Sequence, residues 1–326
     1  MRAVTLTAPG TVTVDENWPE PDCGPDEVMV GVRGVGLCGS DVSVVAGHRS
    51  VPRFPWVLGH EAYGVVRRVG SQVADRHEGQ LVVIEPNYAC FTCPSCRSGA
   101  TSGCRRRRIV GITEPGLLAD RVAVPAAFTW PVPSGWRGED IVCVEPLTVA
   151  FNAVALAELT SDERCLVLGA GSQGQFVCLA ARHVGARPYV ADPHSGRLSL
   201  ACELGALRDD GGEFPVVIET SGAPSAFEHA LDRAAPGGRV ILIGQSTATA
   251  RISTFPIVQH RLTIRGCLIY DHPADFPRTI AAIARDDLSP GRVMRARFDV
   301  RDAPRAFAES ADIAGKTWIT FEENSA

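Results

Sequence analysis

The chain has 326 residues, of which 45% are hydrophobic and 21% charged, values typical of a soluble globular protein of about two domains. Its net charge of -5 offers no basic surface for nucleic acid, and no apolar run reaches the roughly 18 residues that span a bilayer. Lys316 is the only lysine, so a GxxxxGK[ST] phosphate loop is absent and Schiff-base chemistry would depend on one late residue. We therefore expect a cytoplasmic protein that binds neither nucleic acid nor membranes.

The first 150 residues have the pattern of β-sheet. Apolar and polar positions alternate over residues 1–34, with turn residues between them, which is typical of antiparallel strands with short connections. Further strands are predicted at 62–69, 80–85 and 119–124. A loop rich in Cys, Gly, Ser and Arg over residues 88–108 interrupts these strands.

Near residue 145 the pattern changes to alternating helices and strands, which indicates a parallel sheet. The predicted elements are helix 146–159, strand 165–168, helix 173–184, strand 188–191, helix 195–204, strand 215–219, helix 224–234, strand 239–243, helix 302–311 and strand 317–321. Because the last elements are short again, we predict a discontinuous first domain of residues 1–150 and 290–326. Residues 151–289 would form the second domain.

Four cysteines lie close together within the interrupting loop. They are Cys90, Cys93, Cys96 and Cys104. The chain has 11 cysteines, and an odd number without a secretory signal favours thiolates that bind a metal over disulfides. Four thiolates make a closed, structural zinc site, and the metal would order a polar loop that is otherwise costly to order. An iron–sulfur cluster is the alternative that the ligand type allows.

The segment Gly169-Ala170-Gly171-Ser172-Gln173-Gly174 is a GxGxxG that follows an apolar strand and opens a helix. Gly169 would make the tight turn, Gly171 would let a pyrophosphate approach the backbone, and Gly174 would let the helix pack close to the strand. Ser172 and Gln173 begin the helix, whose free N–H groups favour an anion. The segment predicts a dinucleotide site.

An acidic residue, Asp192, follows the next strand, where a carboxylate can accept both hydroxyls of the adenosine ribose. It would repel a 2′-phosphate, so NAD is favoured over NADP. Arg197 weakens this preference, because an arginine there can reach a ribose or a phosphate. The alternative interpretation is a plain turn of glycines in which Asp192 caps a helix.

A second set of metal-binding residue types is dispersed in the sequence: Cys38, His60, Glu61 and Glu145. A mixed sphere of thiolate, imidazole and carboxylate with room for a substrate is typical of catalytic zinc. Asp41 could orient the His60 ring. Taken singly, Cys38 is also ordinary as a small core residue, and His60 as a polar residue with its hydrogen bonds satisfied.

The order of these motifs resembles the zinc-dependent medium-chain alcohol dehydrogenase family. The stretch from Gly59 to Gly70 is similar to its zinc signature, and the Cys38 segment, the four-cysteine loop and the GxGxxG occur in the family's order. Glu145-Pro146 is similar to the sorbitol and threonine dehydrogenase branch. The resemblance implies an α/β protein with a GroES-like, mainly β catalytic domain and a Rossmann doubly wound domain, the active site lying in the cleft between them.

The resemblance also implies roles for individual residues. Cys38, His60 and either Glu61 or Glu145 would bind a catalytic zinc, and the other glutamate would hold a water or exchange as a ligand. Ser40 would pass on the proton of the substrate hydroxyl. The branch usually ends this relay with a histidine where this chain has Ser43, for which His48 is the candidate substitute.

A further departure lies in the second domain. Only Leu207–Phe214 precedes the strand at 215–219, where relatives fit a strand and a helix, so the third βα unit is abbreviated. The expected function is zinc-dependent hydride transfer between a polyol, sugar, aminocyclitol or amino alcohol and NAD, with one catalytic and one structural zinc per chain. The alternatives are a zinc-free quinone or enoyl reductase and a non-catalytic NAD-binding or redox-sensing protein. The resemblance implies a homodimer or homotetramer.

Overall fold

The computed structural model describes residues 1–285 and 288–321, and the chain divides there into two units. The first unit consists of Met1–Glu145, Asp271–Ala284 and the described residues from Met294 onward, and the second of Pro146–Tyr270 and the described part of Arg285–Val293. The last residues of the predicted first domain, 322–326, lie outside the described residues. No helix in the described part of the chain combines the length and the apolar character needed to cross a membrane.

The first unit is built mainly from strands. Its elements up to residue 142 are β1 (Ala3–Ala8), β2 (Thr11–Asp15), β3 (Glu27–Gly36), α1 (Gly39–Val45), β4 (Trp56–Val57), β5 (Glu61–Val69), β6 (Leu81–Ile84), β7 (Asn87–Tyr88), α2 (Pro94–Arg97), β8 (Arg108–Ile109), β9 (Arg121–Pro125), β10 (Thr129–Pro131) and α3 (Gly138–Val142). β1 and β2 form an antiparallel hairpin, and β3 pairs antiparallel with β5 and β9. The alternating pattern of the sequence therefore predicted the strand type correctly, because one face of each strand packs into an apolar core.

The second unit contains a wholly parallel sheet. Its elements are α4 (Val144–Leu156), β11 (Arg164–Leu168), α5 (Ser172–His183), β12 (Arg187–Ala191), α6 (Ser195–Glu203), β13 (Leu207–Arg208), β14 (Phe214–Glu219), α7 (Pro224–Arg233), β15 (Ala234–Leu242), α8 (Thr254–Gln259) and β16 (Thr263–Gly266). The strand order is β13-β12-β11-β14-β15-β16, that of a Rossmann sheet. Central strands such as β11, which is apolar from Cys165 to its end, have continuous apolar runs because both faces of the sheet are buried.

The chain returns to the first unit through α9 (Asp275–Arg285), β17 (Met294–Asp299), α10 (Ala303–Glu309) and β18 (Lys316–Thr320). β18 pairs antiparallel with β3 and completes a seven-stranded sheet. The boundaries of the two units differ from the predicted domain limits, because residues 271–284 belong to the first unit, whereas the prediction placed them in the second domain. The reason is a set of contacts: Asp271 and His272 bind the four-cysteine loop and Glu85. The limits of the domains as such stay a prediction.

The third βα unit of the Rossmann sheet is abbreviated, as the sequence predicted. Only the two-residue strand β13 remains, and residues 209–213 lead to β14 without a helix. The guanidinium of Arg164 lies over the rings of Tyr189 and Phe214, 4.8 and 4.6 Å from their centroids. Arg233 lies over Phe214 and pairs with Asp209 at 2.5 Å. Arginine stacking thus covers the aromatic faces on this side of the sheet.

Candidate metal and dinucleotide sites

Cys38, His60 and Glu61 converge in the first unit. Cys38 precedes α1 just after β3 ends, and Glu61 begins β5 opposite Gly36 of β3. Pairing of the two strands therefore brings residues far apart in sequence together. One Sγ, one ring nitrogen and one carboxylate oxygen of the three side chains all lie within 4.8 Å of one another. These donor types fit zinc, and the group is the candidate metal centre.

The ring of His60 is held by an acidic neighbour. Its Nδ1 lies 3.1 Å from Oδ1 of the buried Asp41, the contact that the sequence predicted. Burial alone would raise the pKa of Asp41, but the neighbouring His60 keeps that pKa below its ordinary value. Burial would conversely lower the pKa of His60, and Asp41 raises it well above its ordinary value. Asp41 therefore stays ionised and orients the ring, whose Nε2 lies 3.4 Å from Ser40 Oγ.

The carboxylate of Glu61 is held by Lys316, a residue whose role the sequence analysis missed. Both side chains are about 1% exposed, and Nζ lies 2.6 Å from Oε2 and donates to Oε1 at 2.9 Å. Nζ also donates to the carbonyl oxygen of Leu37 at 3.0 Å. Burial would lower the pKa of Lys316, but Glu61 raises it above its ordinary value, so the ammonium stays charged. Its being the only lysine was the one available signal.

Two other predicted residues lie outside the group of three. Glu145 is buried in the first turn of α4 and does not join the side chains that meet within 4.8 Å. His48 is exposed on the turn after α1, where its N–H donates to the carbonyl oxygen of Ser43. The structure therefore brings together three of the four predicted ligands of this site.

The four-cysteine loop gathers all of its predicted members. One sulfur from each of Cys90, Cys93, Cys96 and Cys104 lies within 4.8 Å of the others. Hydrogen bonds from the backbone and hydroxyl of Thr92 lower the pKa of Cys90 to about 5, whereas burial and the adjacent Cys93 raise that of Cys96 to about 12. Four sulfurs this close cannot all ionise unless a cation neutralises them. The donor set fits a second zinc.

This loop is attached to the segment before α9. The N–H of Ser102 donates to Asp271 at 2.7 Å, and the N–H of His272 donates to the hydroxyl of Thr101 at 2.7 Å. The ring of His272 in turn lies 2.9 Å from the buried carboxylate of Glu85, which also accepts from Trp130. The loop is therefore positioned by contacts beyond its own sequence.

The glycine segment has the geometry that a dinucleotide site requires. Gly169 has a φ of +97°, which favours glycine, and a Cβ on Gly174 would overlap the carbonyl oxygen of Gly169. A Cβ on Gly171 would meet no atom within 4 Å, so space is open above the start of α5. Ser172 begins that helix, and the side chain of Gln173 donates to the carbonyl oxygen of Pro146. The turn and its open space fit a bound pyrophosphate.

Asp192 directly follows β12 and points back to this turn. Its Oδ2 accepts from the N–H of Ala170 at 2.6 Å, and its Oδ1 accepts from the N–H of His194 at 2.7 Å. The residue that caps α6 is His194, which accepts from the N–H of Arg197. The carboxylate is thus fixed beside the glycine turn rather than used as the cap of the helix.

Comparisons with known proteins agree with this geometry. Residues 24–134 match the alcohol dehydrogenase GroES-like domain, and residues 174–285 match the zinc-binding dehydrogenase family. The 2-dehydro-3-deoxy-L-galactonate 5-dehydrogenase of Pseudoalteromonas atlantica is 30% identical, over 86% of this chain and 87% of its own.

Solved structures show the same similarity. An Escherichia coli alcohol dehydrogenase in complex with NADH is 26% identical with a TM-score of 0.91, covering 98% of this chain and 99% of its own. The galactitol-1-phosphate dehydrogenase of Escherichia coli is 26% identical with a TM-score of 0.90, covering 98% and 100%. The chain therefore belongs to the zinc-dependent medium-chain alcohol dehydrogenase family.

Proposed function

We propose that this chain transfers a hydride between a polar secondary alcohol and NAD(P), the alcohol being a polyol, sugar, aminocyclitol or amino alcohol. The reaction of the family is zinc-dependent hydride transfer between an alcohol and NAD(P). The observation that carries the proposal is the convergence of Cys38, His60 and Glu61 in a chain that also has a dinucleotide turn.

We assign Cys38, His60 and one of two glutamates, Glu61 or Glu145, to the catalytic zinc. When bound, this zinc supplies a Lewis acid that polarises the substrate oxygen and lowers the pKa of its hydroxyl. Asp41 keeps the ring of His60 in one orientation through the contact at Nδ1.

We assign the departing proton to Ser40, whose half-buried hydroxyl lies 3.4 Å from the ring of His60. A hydroxyl can accept one proton while it gives up its own, so it carries charge without ionising for long. His48, exposed after α1, is the proposed next carrier and would exchange the proton with water.

We assign cofactor binding to the glycine turn and to the acidic residue after β12. The residues of the turn are Gly169, Gly171, Ser172, Gln173 and Gly174. Asp192 presents a carboxylate that favours ribose hydroxyls over a 2′-phosphate, so we propose NAD over NADP. Arg197 lies in the first turn of α6 and is the residue able to moderate that preference.

The four cysteines of the loop would hold the structural zinc. None of the 11 cysteines is in a disulfide, and thiolates in this number persist in a reducing compartment. We therefore propose a cytoplasmic location and two zinc ions per chain. One zinc per chain would favour the alternative of a non-catalytic NAD-binding protein.

We also propose that the chain forms a homodimer or homotetramer. β16 ends the parallel sheet, and α8 beside it in sequence leaves Phe255 and Val258 each 69% exposed. An unpaired strand edge next to exposed apolar side chains is a surface that a second copy can cover. Light scattering should give a multiple of the 34.7 kDa chain mass, and the mass of a single chain would contradict the assembly.

The substrate class is tested by a matched pair of alcohols. 2-Butanol and 2,3-butanediol differ by one hydroxyl, and we expect the diol to give the higher kcat/KM in NADH formation because a polar group recognises its second oxygen. Polyols, sugars and amino alcohols, including threonine, complete the panel. A preference for 2-butanol, or no oxidation of any secondary alcohol by the zinc-loaded protein, would contradict the proposal, with Cys38→Ser as the inactive control.

A further inference from the structure

A buried carboxylate ends β14, on the other side of β11 from Asp192. Glu219 is 2% exposed, and its Oε1 accepts from the N–H and the hydroxyl of Ser221 at 2.6 and 2.5 Å and from the N–H of Gly222 at 2.9 Å. Its Oε2 has one long contact, to the N–H of Gly222 at 3.2 Å. One oxygen thus takes nearly all of the hydrogen bonds.

The neighbouring backbone is shaped around this carboxylate. A Cβ on Gly244, which follows β15, would lie 2.6 Å from Oε2 and would overlap Gly222. The next residue, Thr220, donates its hydroxyl to the carbonyl oxygen of Gly169 at 3.0 Å. The carboxylate of Glu219 therefore contacts the turn that follows β14 and lies close to the turn that follows β15, and its neighbour Thr220 joins this region to the glycine turn.

Glu219 has no cationic partner among the described residues, where no Arg, Lys or His side chain lies within 4.0 Å of its oxygens. The buried Glu61 and Asp41, by contrast, both face charged partners. A buried carboxylate with hydrogen bonds and no counter-ion costs free energy, and a positive charge brought near it would recover part of that cost.

The fold rule for such sheets places the two halves of a dinucleotide on either side of the point where strand order reverses. Here that point lies between β11 and β14. Asp192, after β12, occupies the side proposed for the adenosine half. Glu219 lies on the opposite side of that point, where β14 and β15 end, and this side is therefore assigned to the nicotinamide half.

We propose that Glu219 raises the affinity of the dinucleotide site for the oxidised, positively charged nicotinamide relative to its affinity for the reduced, neutral one. The oxidised ring carries a unit positive charge that hydride addition removes, so a fixed buried carboxylate stabilises one form of the cofactor and not the other. Glu219 is thus a specificity-determining residue for the redox state of the cofactor. The inference rests on the proposed NAD site.

The substitution Glu219→Gln tests this electrostatic role. The amide keeps an oxygen at the Oε1 position, where the donors of Ser221 and Gly222 lie, and replaces the weakly bonded Oε2 with NH₂. Dissociation constants for NAD⁺ and for NADH are measured separately by calorimetry on the zinc-loaded protein without substrate. We expect NAD⁺ binding to weaken about threefold to tenfold more than NADH binding. A tenfold change in that ratio equals about 30 mV in the potential of the bound two-electron couple.

Two further variants complete the design. Asp232→Asn removes a charge from the exposed face of α7 in the same unit and should leave the NAD⁺ to NADH ratio unchanged. Ser221→Ala removes one donor from Oε1 but keeps the charge, which leaves the carboxylate less compensated, so the ratio of the NAD⁺ affinity to the NADH affinity should rise. This variant tests the proposal even if Glu219→Gln does not fold.

The outcomes separate this inference from the function on which it rests. An equal loss of affinity for both cofactor forms in Glu219→Gln would mean that the residue only supports the loop, and would overturn the inference. An unchanged or lower ratio of the NAD⁺ affinity to the NADH affinity in Ser221→Ala would overturn it as well. If the unmodified protein bound neither NAD⁺ nor NADH, the proposed function itself would fail.

Discussion

The two groups of metal-binding residue types in the first unit are built in opposite ways. The four-cysteine loop takes all its members from residues 90–104, and most of its sulfurs are only half-buried. Cys38, His60 and Glu61 instead lie at the ends of paired strands, and their support includes a buried lysine, Lys316, that is 255 residues from its partner.

The two groups differ in what holds their metal-binding side chains in place. Ligands close together in sequence need little from the rest of the fold, because a metal alone can order a short loop. Ligands from distant segments depend on partners that fix each side chain, here Asp41 on His60 and Lys316 on Glu61. Damage to the loop should therefore stay local, whereas damage to the dispersed group should affect catalysis and the stability of the first unit.

The largest effect is expected for Cys38→Ser. Without the thiolate the catalytic metal should be lost, and turnover should fall by at least about ten-thousandfold, since a Lewis acid supplies several kcal/mol of transition-state stabilisation. NAD binding should be nearly unchanged, because the glycine turn belongs to the second unit. Metal analysis should give about one zinc per chain, and calorimetry should give an unchanged NAD affinity.

The matched control is Cys23→Ser, since Cys23 is a half-buried cysteine of the same unit outside both groups. It should keep both metals and full turnover. Loss of NAD affinity in Cys38→Ser would contradict the division of roles between the two units.

The second prediction concerns the ion pair beneath the dispersed group. Lys316→Met leaves the carboxylate of Glu61 buried without its cation, and breaking one side of a buried pair costs about 3 to 5 kcal/mol. We expect the free energy of unfolding of the first unit to fall by this amount, measured from the midpoint of denaturant unfolding.

A double variant distinguishes an unpaired charge from a general packing defect. Lys316→Met combined with Glu61→Gln removes both charges, and most of the lost stability should return because no buried charge is left. If the double variant were as unstable as the sum of the two single variants, the ion pair would not be what couples these residues.

Much of this structure follows from local sequence signals. Four of the six parallel strands of the second unit (β11, β12, β14 and β15) were predicted from apolar runs, and the turn after β11 was predicted from its glycines, among them Gly169 and Gly174. Both signals are local in the sequence. The four cysteines were predicted from spacing alone. The abbreviated third βα unit was visible as a shortage of residues before β14.

The missed features depend on long-range contacts or weak patterns. α8, β16 and β17 are short and were not predicted, but α9 buries Phe276, Thr279, Ala282 and Ile283 at helical spacing, a signal that was available. The pairing of Lys316 with Glu61 depends on β18 lying beside β3, which no local pattern specifies. Glu219 likewise looked like an ordinary strand end until its buried hydrogen bonds were known.

The smallest global effect is expected for Cys96→Ser in the four-cysteine loop. Loss of one thiolate should remove the structural zinc, but contacts from Asp271 and His272 still hold the loop at Ser102 and Thr101. The free energy of unfolding should therefore change little, while local opening becomes more frequent. Arg105, Arg106 and Arg108 are exposed in the part of the loop that directly follows Cys104, so trypsin reports that opening. We expect cleavage there to be about tenfold faster, with turnover retained within about threefold of the unmodified protein.

The matched control is Cys202→Ser, at a half-buried cysteine of the second unit, which should leave the cleavage rate unchanged. Loss of both zinc ions in Cys96→Ser would show that the two groups are coupled, and the contrast between a local and a dispersed site would fail.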